Sequence, residues 1–172
     1  MSNESACSTQ PANSSFLQGN KFTFSFATLP FLKYFCQSVN IPGVSTSPIT
    51  VDNPFSNTYR HGDKLVYDQL NVTVIIDEDL RVWEETYNWL QALTFPKEFR
   101  QYYKNTNGRQ SAYHDGILTI NSNSNNPNMR FKFTDCHPSS LGSINFSVQE
   151  TPQNIITVDI VFRYDGFVIE RI

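Results

Sequence analysis

The chain is poor in the residues that enzymes, secreted modules and membrane proteins concentrate. Its three cysteines, Cys7, Cys36 and Cys136, are an odd number without CxxC spacing. No disulfide framework is indicated, and a reducing compartment is the simpler expectation. Charge is scarce, at 17% of residues, and the net charge of −3 comes with no basic run. That excludes binding of nucleic acid through its phosphates as an expectation. No apolar run approaches membrane-spanning length, so no membrane insertion is expected. The first residues lack the basic and apolar regions of a signal peptide. Nor does the sequence hold a G-x-S-x-G, P-loop or dinucleotide fingerprint.

The few candidates for chemistry have simpler readings. Asp77-Glu78-Asp79 stand where a helix begins, and neighbouring acids there serve as caps. They bring no EF-hand spacing and no partner ligands. Cys36 and Cys136-His137 lack the paired spacing of a zinc site. Cys36 lies in an apolar stretch where an inert buried thiol is expected, and His61 and His114 fall in polar loops beside Gly62 and Asp115. No catalytic residue, cofactor or metal is expected, and the chain does not read as an enzyme.

What is abundant is aromatic: 14 Phe and 8 Tyr, on a background of Asn and Ser. The length suggests one domain, residues 21–172, behind a flexible arm, residues 1–20, whose first fifteen are nearly devoid of hydrophobic residues. Phe22, Phe24 and Phe26 alternate with polar residues as a strand. A second strand is predicted over Tyr34 to Asn40, closed by Ile41-Pro42-Gly43.

Leu65 to Phe95 organises the rest. Leu70, Val72 and Val74 to Ile76 form a strand. The period then changes, and Leu80, Trp83, Tyr87 and Leu90 share one face of a helix over about residues 79–94. Pro96 ends it. Trp83 and Trp89 lie six positions apart and point in different directions. Either one covers the core while the other meets something else, or both lie on one broad sheet. Further on, a helical turn is predicted around Phe99, Tyr102 and Tyr103. Strands follow over Ile117 to Ile120, Met129 to Thr134, Ile144 to Val148, Ile156 to Arg163 and Phe167 to Ile169, with a turn-rich crossing from Cys136 to Gly142 and a connection through Pro152. The fold class is mainly β, a sandwich or barrel with one flanking helix.

Residues 46–66 are the least regular. They are polar and carry Pro48 and Pro54, yet keep Ile49, Val51, Phe55 and Tyr59 at strand-like intervals. A structureless loop of this length is unusual in a compact domain. A projecting β-hairpin fits better, with arms near Pro48 to Asp52 and Phe55 to Arg60. Its unpaired edges would aggregate unless other chains complete them.

The order of these elements resembles the tail tube proteins of contractile-tailed phages. The resemblance rests on Phe35 to Gly43, His61-Gly62-Asp63-Lys64-Leu65, the unit from Val72 to Asp79 with its tryptophan helix, Cys136 to Ile144, and Thr157 to Tyr164. It covers about Lys21 to Tyr164 and extends to the related baseplate tube initiators. It implies a structural virion protein whose hexameric rings stack into a tube for genome ejection. Partners implied are further copies of the chain, a tail sheath protein, a baseplate initiator and a tape measure protein. Phage DNA would pass through without specific binding. The implied location is the virion tail, after assembly in the host cytoplasm.

By the same resemblance, Pro48, Ile49, Val51, Asp52, Phe55, Tyr59, Arg60, His61, Asp63 and Lys64 belong to the inter-subunit hairpin that lines the channel. Trp83, Tyr87, Trp89 and Leu90 form the helix face. A monomeric β-sandwich that holds a carbohydrate or peptide on exposed aromatics is the competing reading.

Overall fold

The computed structural model describes residues 14–27, 29–95, 100, 113–149 and 155–172. The predicted helical turn around Phe99, Tyr102 and Tyr103, the connection through Pro152 and the first thirteen residues of the arm lie outside them.

One long strand carries the architecture. The elements run β1 (Phe22–Phe26), α1 (Leu32–Phe35), β2 (Cys36–Val39), β3 (Val44–Thr46), β4 (Ile49–Asp52), β5 (Asn57–Arg60), β6 (Leu65–Tyr67), β7 (Leu70–Ile75), α2 (Arg81–Thr94), β8 (His114–Asn121), β9 (Pro127–Leu141), β10 (Thr157–Arg163) and β11 (Gly166–Arg171). The main sheet is antiparallel in the order β1-β8-β9-β10-β7-β2, with β11 also paired to β9. The first part of β9 holds β8 and β11, and its last residues hold β10.

Two bulges let β9 serve both halves. Opposite His114 and Gly116 it spends one extra residue, where Asp135 takes a left-handed φ of 53°. The bulge moves the buried set from Phe131 and Phe133 to Cys136 and Pro138, a phase change that unbroken alternation forbids. Ser139 is the second extra residue, opposite Val161 and Phe162, and its Oγ donates to the Val161 carbonyl at 3.1 Å.

So bent, the sheet faces itself across the core. Phe26 on β1 meets Phe162 on β10 with ring centroids 4.9 Å apart, and Phe133 on β9 meets Tyr164 at 5.1 Å. Leu70, Val72 and Val74 of β7 are fully buried beside them. Each such aliphatic side chain contributes about 1.5–3 kcal/mol. Among the described residues β1 and β2 remain the two ends of the sheet, and no barrel closes.

Several expectations are corrected here. Tyr34 to Asn40 is not one strand: Leu32–Phe35 forms a helical turn that plugs Leu32 into the core, and only Cys36–Val39 pairs with β7. Cys136 to Leu141 is not a crossing but the end of β9, whose proline sits next to a bulge, where a missing N–H is tolerated. Ile144 to Val148 is no strand, and Phe146 and Val148 are exposed. Alternation alone could not distinguish that stretch from a loop. His114 is not in a loop but opens β8.

The helix α2 corrects the face assignment. Its buried residues are Val82, Thr86, Trp89 and Ala92. Trp89 closes the core against Phe26 and Phe162, at 6.0 and 6.2 Å. The stripe of Trp83, Tyr87 and Leu90 lies beside that face and is only partly covered. Periodicity found the larger apolar side chains. The core face, however, includes a threonine whose Oγ1 is satisfied by the Val82 carbonyl at 2.8 Å. Of the three acids before the helix, only Asp77 bonds the backbone of its first turn, its Oδ1 accepting from the Arg81 backbone N–H at 3.0 Å, while Asp79 pairs with the Arg81 guanidinium at 2.7 Å.

Candidate functional site

Between Gly43 and Asp68 the chain leaves the main sheet and returns, forming two short ladders of its own. Val44↔Tyr67 to Thr46↔Leu65 make the first, and Ile49↔Arg60 to Asp52↔Asn57 the second. Every residue of β3, β4 and β5 is exposed. Among the described residues the ladders pair with no other strand, so both long edges carry backbone groups that no described strand uses. Ile49, Val51, Phe55 and Tyr59 are uncovered apolar surface on a structure too thin to have a core.

Two devices keep this hairpin from collapsing. The joint between its ladders is tight at Gly62, where an added Cβ would lie 1.9 Å from the Ser47 carbonyl oxygen. At the root, Asn40 clamps both arms. Its Oδ1 accepts from the Asn71 N–H at 2.7 Å, its Nδ2 donates to the Gln69 carbonyl at 3.2 Å, and its own N–H donates to the Asn71 carbonyl at 3.2 Å. Tyr67 then seats the root on the body through ring contacts with Tyr164 and Phe167. The Tyr164 hydroxyl donates to the Asp68 carbonyl at 3.0 Å, and burial pushes its pKa up to about 12. Asn40 and Tyr164 were not singled out from the sequence. An Asn directly before Ile-Pro-Gly is the only hint it offers.

The structure places Ile49, Val51, Asp52, Tyr59 and Arg60 on the outer ladder, Phe55 in the turn at its tip, and Pro48, His61, Asp63 and Lys64 in the joint. Partners across the ladder share a face. Ile49, Val51, Thr58 and Arg60 therefore lie on one side, and Thr50, Asp52, Asn57 and Tyr59 on the other. Asp52 and Asp63 balance Arg60 and Lys64, so the hairpin itself carries no net charge with His61 neutral.

The helix residues divide. Trp89 is structural, while Trp83 and Tyr87 stack in parallel at 5.4 Å. With Leu90, Phe95, Ser140 and Leu141 they line a cavity of about 450 Å³. The Trp83 indole N–H itself is buried, with no hydrogen-bond partner among the described residues.

Nothing among the described residues gathers three metal-ligating side chains. Burial pushes the Cys36 thiol up to about 11 and the Cys136 thiol up to about 12, the behaviour of inert rather than nucleophilic cysteines. His114 packs against Trp89 at 5.2 Å, and burial lowers its pKa.

This fold is shared with solved structures of contractile machines. The chain superposes on one from the anti-feeding prophage cap, the AFP tube terminating cap, with a TM-score of 0.69 at 12% identity, covering 97% of this chain and 99% of that one. A chain of the anti-feeding prophage baseplate gives 0.60 at 9%, covering 92% and 97%. One from the PVC sheath–tube complex of an extracellular contractile injection system, in its extended state, gives 0.59 at 13%, covering 92% and 94%. At such identities the likeness shows the fold alone. No curated protein sequence matches the chain. The sequence itself matches the family described as phage tail tube protein over residues 7–170, nearly its whole length, and the chain therefore belongs to the phage tail tube protein family.

Proposed function

We propose that this chain is the repeating subunit of a phage tail tube, and that its hairpins close a six-membered ring. The observation that carries the proposal is the pair of ladders between Val44 and Tyr67, exposed on both faces over β4 and β5 and, among the described residues, unpaired on both edges. Free edges of this kind are aggregation sites unless a neighbour completes them. Edge-to-edge pairing between copies related by rotation satisfies them all and leaves a closed barrel around a channel. Stacked rings then conduct the genome during ejection, and the protein's work is mechanical.

A sheath outside, a baseplate initiator below and a tape measure protein within are the partners this role requires. The finished tube belongs to the virion tail, after assembly in the host cytoplasm. DNA slides through without specific binding, in keeping with an acidic chain and an uncharged hairpin. Residues 21–172 act as one domain, with the arm before them. A role as tube initiator in a baseplate uses the same fold and the same hairpin.

Negative-stain electron microscopy of the purified chain, with its mass in solution, tests the proposal. Six-fold rings or hollow tubes are expected. Val51→Pro or Tyr59→Pro should prevent ring closure while circular dichroism and thermal unfolding stay near wild type. A homogeneous monomer that never assembles, alone or on added tail components, would refute it and favour the binding module.

A further inference from the structure

One carboxylate of α2 sits at the edge of the core without a partner. Glu85 comes three residues after Val82 and four before Trp89, so it borders the buried face of the helix. It is half-buried, whereas Glu84 beside it is exposed. Its Oε2 is buried with no hydrogen-bond partner among the described residues. A carboxyl oxygen cut off from water and from donors disfavours the charged form.

The cation suited to it is engaged elsewhere. Arg81 stands four residues earlier, the spacing of a helical ion pair. Its guanidinium instead holds Asp79 at 2.7 Å and lies over the Phe31 ring, 5.5 Å from the centroid. The remaining charges that act on Glu85 are Asp77 and Glu84, both of its own sign.

The elements packed around α2 add no counter-charge to that set. Cys136, His137 and Asp135 come from β9, whose Arg130 and Lys132 are paired with Glu170 and Asp115. From β8 comes His114, which packs on Trp89 and is held towards its neutral form by burial. β10 carries Asp159, which accepts from the Thr73 hydroxyl, and Arg163; β1 carries no charge. Burial first, then Asp77 and Glu84, raise the Glu85 pKa above its ordinary 4.5, against the pull of Arg81. The helix dipole does little to offset this, because it fades beyond the first turn.

What Arg81 holds gives the arrangement a consequence. Phe31 is the N-cap of α1, and α1 plugs Leu32 into the core and runs straight into β2, the end of the main sheet. The guanidinium over Phe31 thus fastens that end of the sheet to α2.

We infer that Glu85 and Arg81 form a proton-operated latch. With Glu85 protonated, Arg81 stays on Asp79 and Phe31 and holds α1 and β2 against the helix. With Glu85 ionised, Arg81 turns to it and releases the Phe31 ring. One ion pair replaces another, and a single proton is bound or released. The folded chain holds this proton more tightly than the unfolded one. The stability tied to it is therefore full below pH 4.5 and lost as the pH rises through the higher folded value. The latch works within one subunit and does not depend on the tube reading.

NMR titration of the unassembled full chain tests it. The Glu85 carboxyl carbon should titrate above 4.5, and the Arg81 Nε and Phe31 ring signals should shift with the same midpoint. In Glu85→Gln those two signals should stay still over that range, and the denaturation midpoint should fall less than in wild type from pH 4.5 towards neutrality. Asp79→Asn, a change at an exposed position, should lower the Glu85 midpoint by leaving Arg81 free to turn to it. A Glu85 midpoint at or below 4.5, an Arg81 signal that ignores it, or no effect of Asp79→Asn would overturn the latch.

Discussion

Replacing Gly62 with alanine separates the hairpin from the rest of the fold. The added methyl would lie 1.9 Å from the Ser47 carbonyl oxygen, where real Cβ contacts stay beyond 3.0 Å. The two arms must part by about 1 Å at the joint between the ladders, a strain of about 1–3 kcal/mol if it had to be borne in place. It need not be. The outer ladder has four residue pairs, all exposed, and an isolated two-stranded hairpin is marginal in water. The chain can open there locally, and the loss of global stability is capped by what that ladder contributes, below about 1 kcal/mol. Chemical denaturation of the monomer should therefore give a near-normal midpoint. Limited proteolysis should cut between residues 48 and 64 much faster than in wild type, and tubes should fail to form. A large fall in the denaturation midpoint would show that the hairpin is part of the cooperative core. Normal tubes would show that its geometry is irrelevant to assembly. Either result refutes the reasoning.

Other perturbations read other parts of the argument. Asn40→Ala leaves the exposed Asn71 N–H and Gln69 carbonyl to water in place of their side-chain partner and should cost about 0.5–1.5 kcal/mol in denaturant unfolding. A loss below about 0.5 kcal/mol would mean that the root is not clamped there. Asp135→Val should cost about 1–2 kcal/mol, because a β-branched residue resists a φ of 53°, whereas Asp135→Gly should cost little. Equal effects of the two would remove the backbone explanation of the bulge. Tyr164 titrates higher in the folded state, near 12, than its ordinary value of 10.0. The stability it contributes is thus fully present below pH 10 and lost as the pH rises to about 12. The Cys36 and Cys136 thiols shift the same way, so the comparison is by difference. Thermal unfolding of Tyr164→Phe should fall less steeply than wild type across pH 10–12, and parallel curves would contradict the assignment.

Much of this protein was legible in its residues. Alternation located the strands of Phe22 to Phe26, Leu70 to Ile75 and Thr157 to Arg163, because each buries one face and period-2 patterning is how such burial is written. A change of period marked α2. Ile49, Val51, Phe55 and Tyr59 at strand-like intervals in a polar stretch marked the hairpin, which the structure forms as two short ladders. The family followed from the order of these pieces.

What the tertiary structure alone decided was every feature set by partners distant in sequence. That β9 runs through Cys136 and Pro138 depends on bulges opposite β8 and β10, and a bulge shifts the very alternation used to recognise a strand. Trp89 rather than Trp83 entered the core because Phe26 and Phe162, from opposite ends of the chain, meet over it. The clamp of Asn40 on Gln69 and Asn71, and the near contact of Gly62 with Ser47, are likewise invisible along the chain. Local sequence carries the period and the propensity of each element. Which faces meet, and where a strand must bend to let them, is a property of the packed whole.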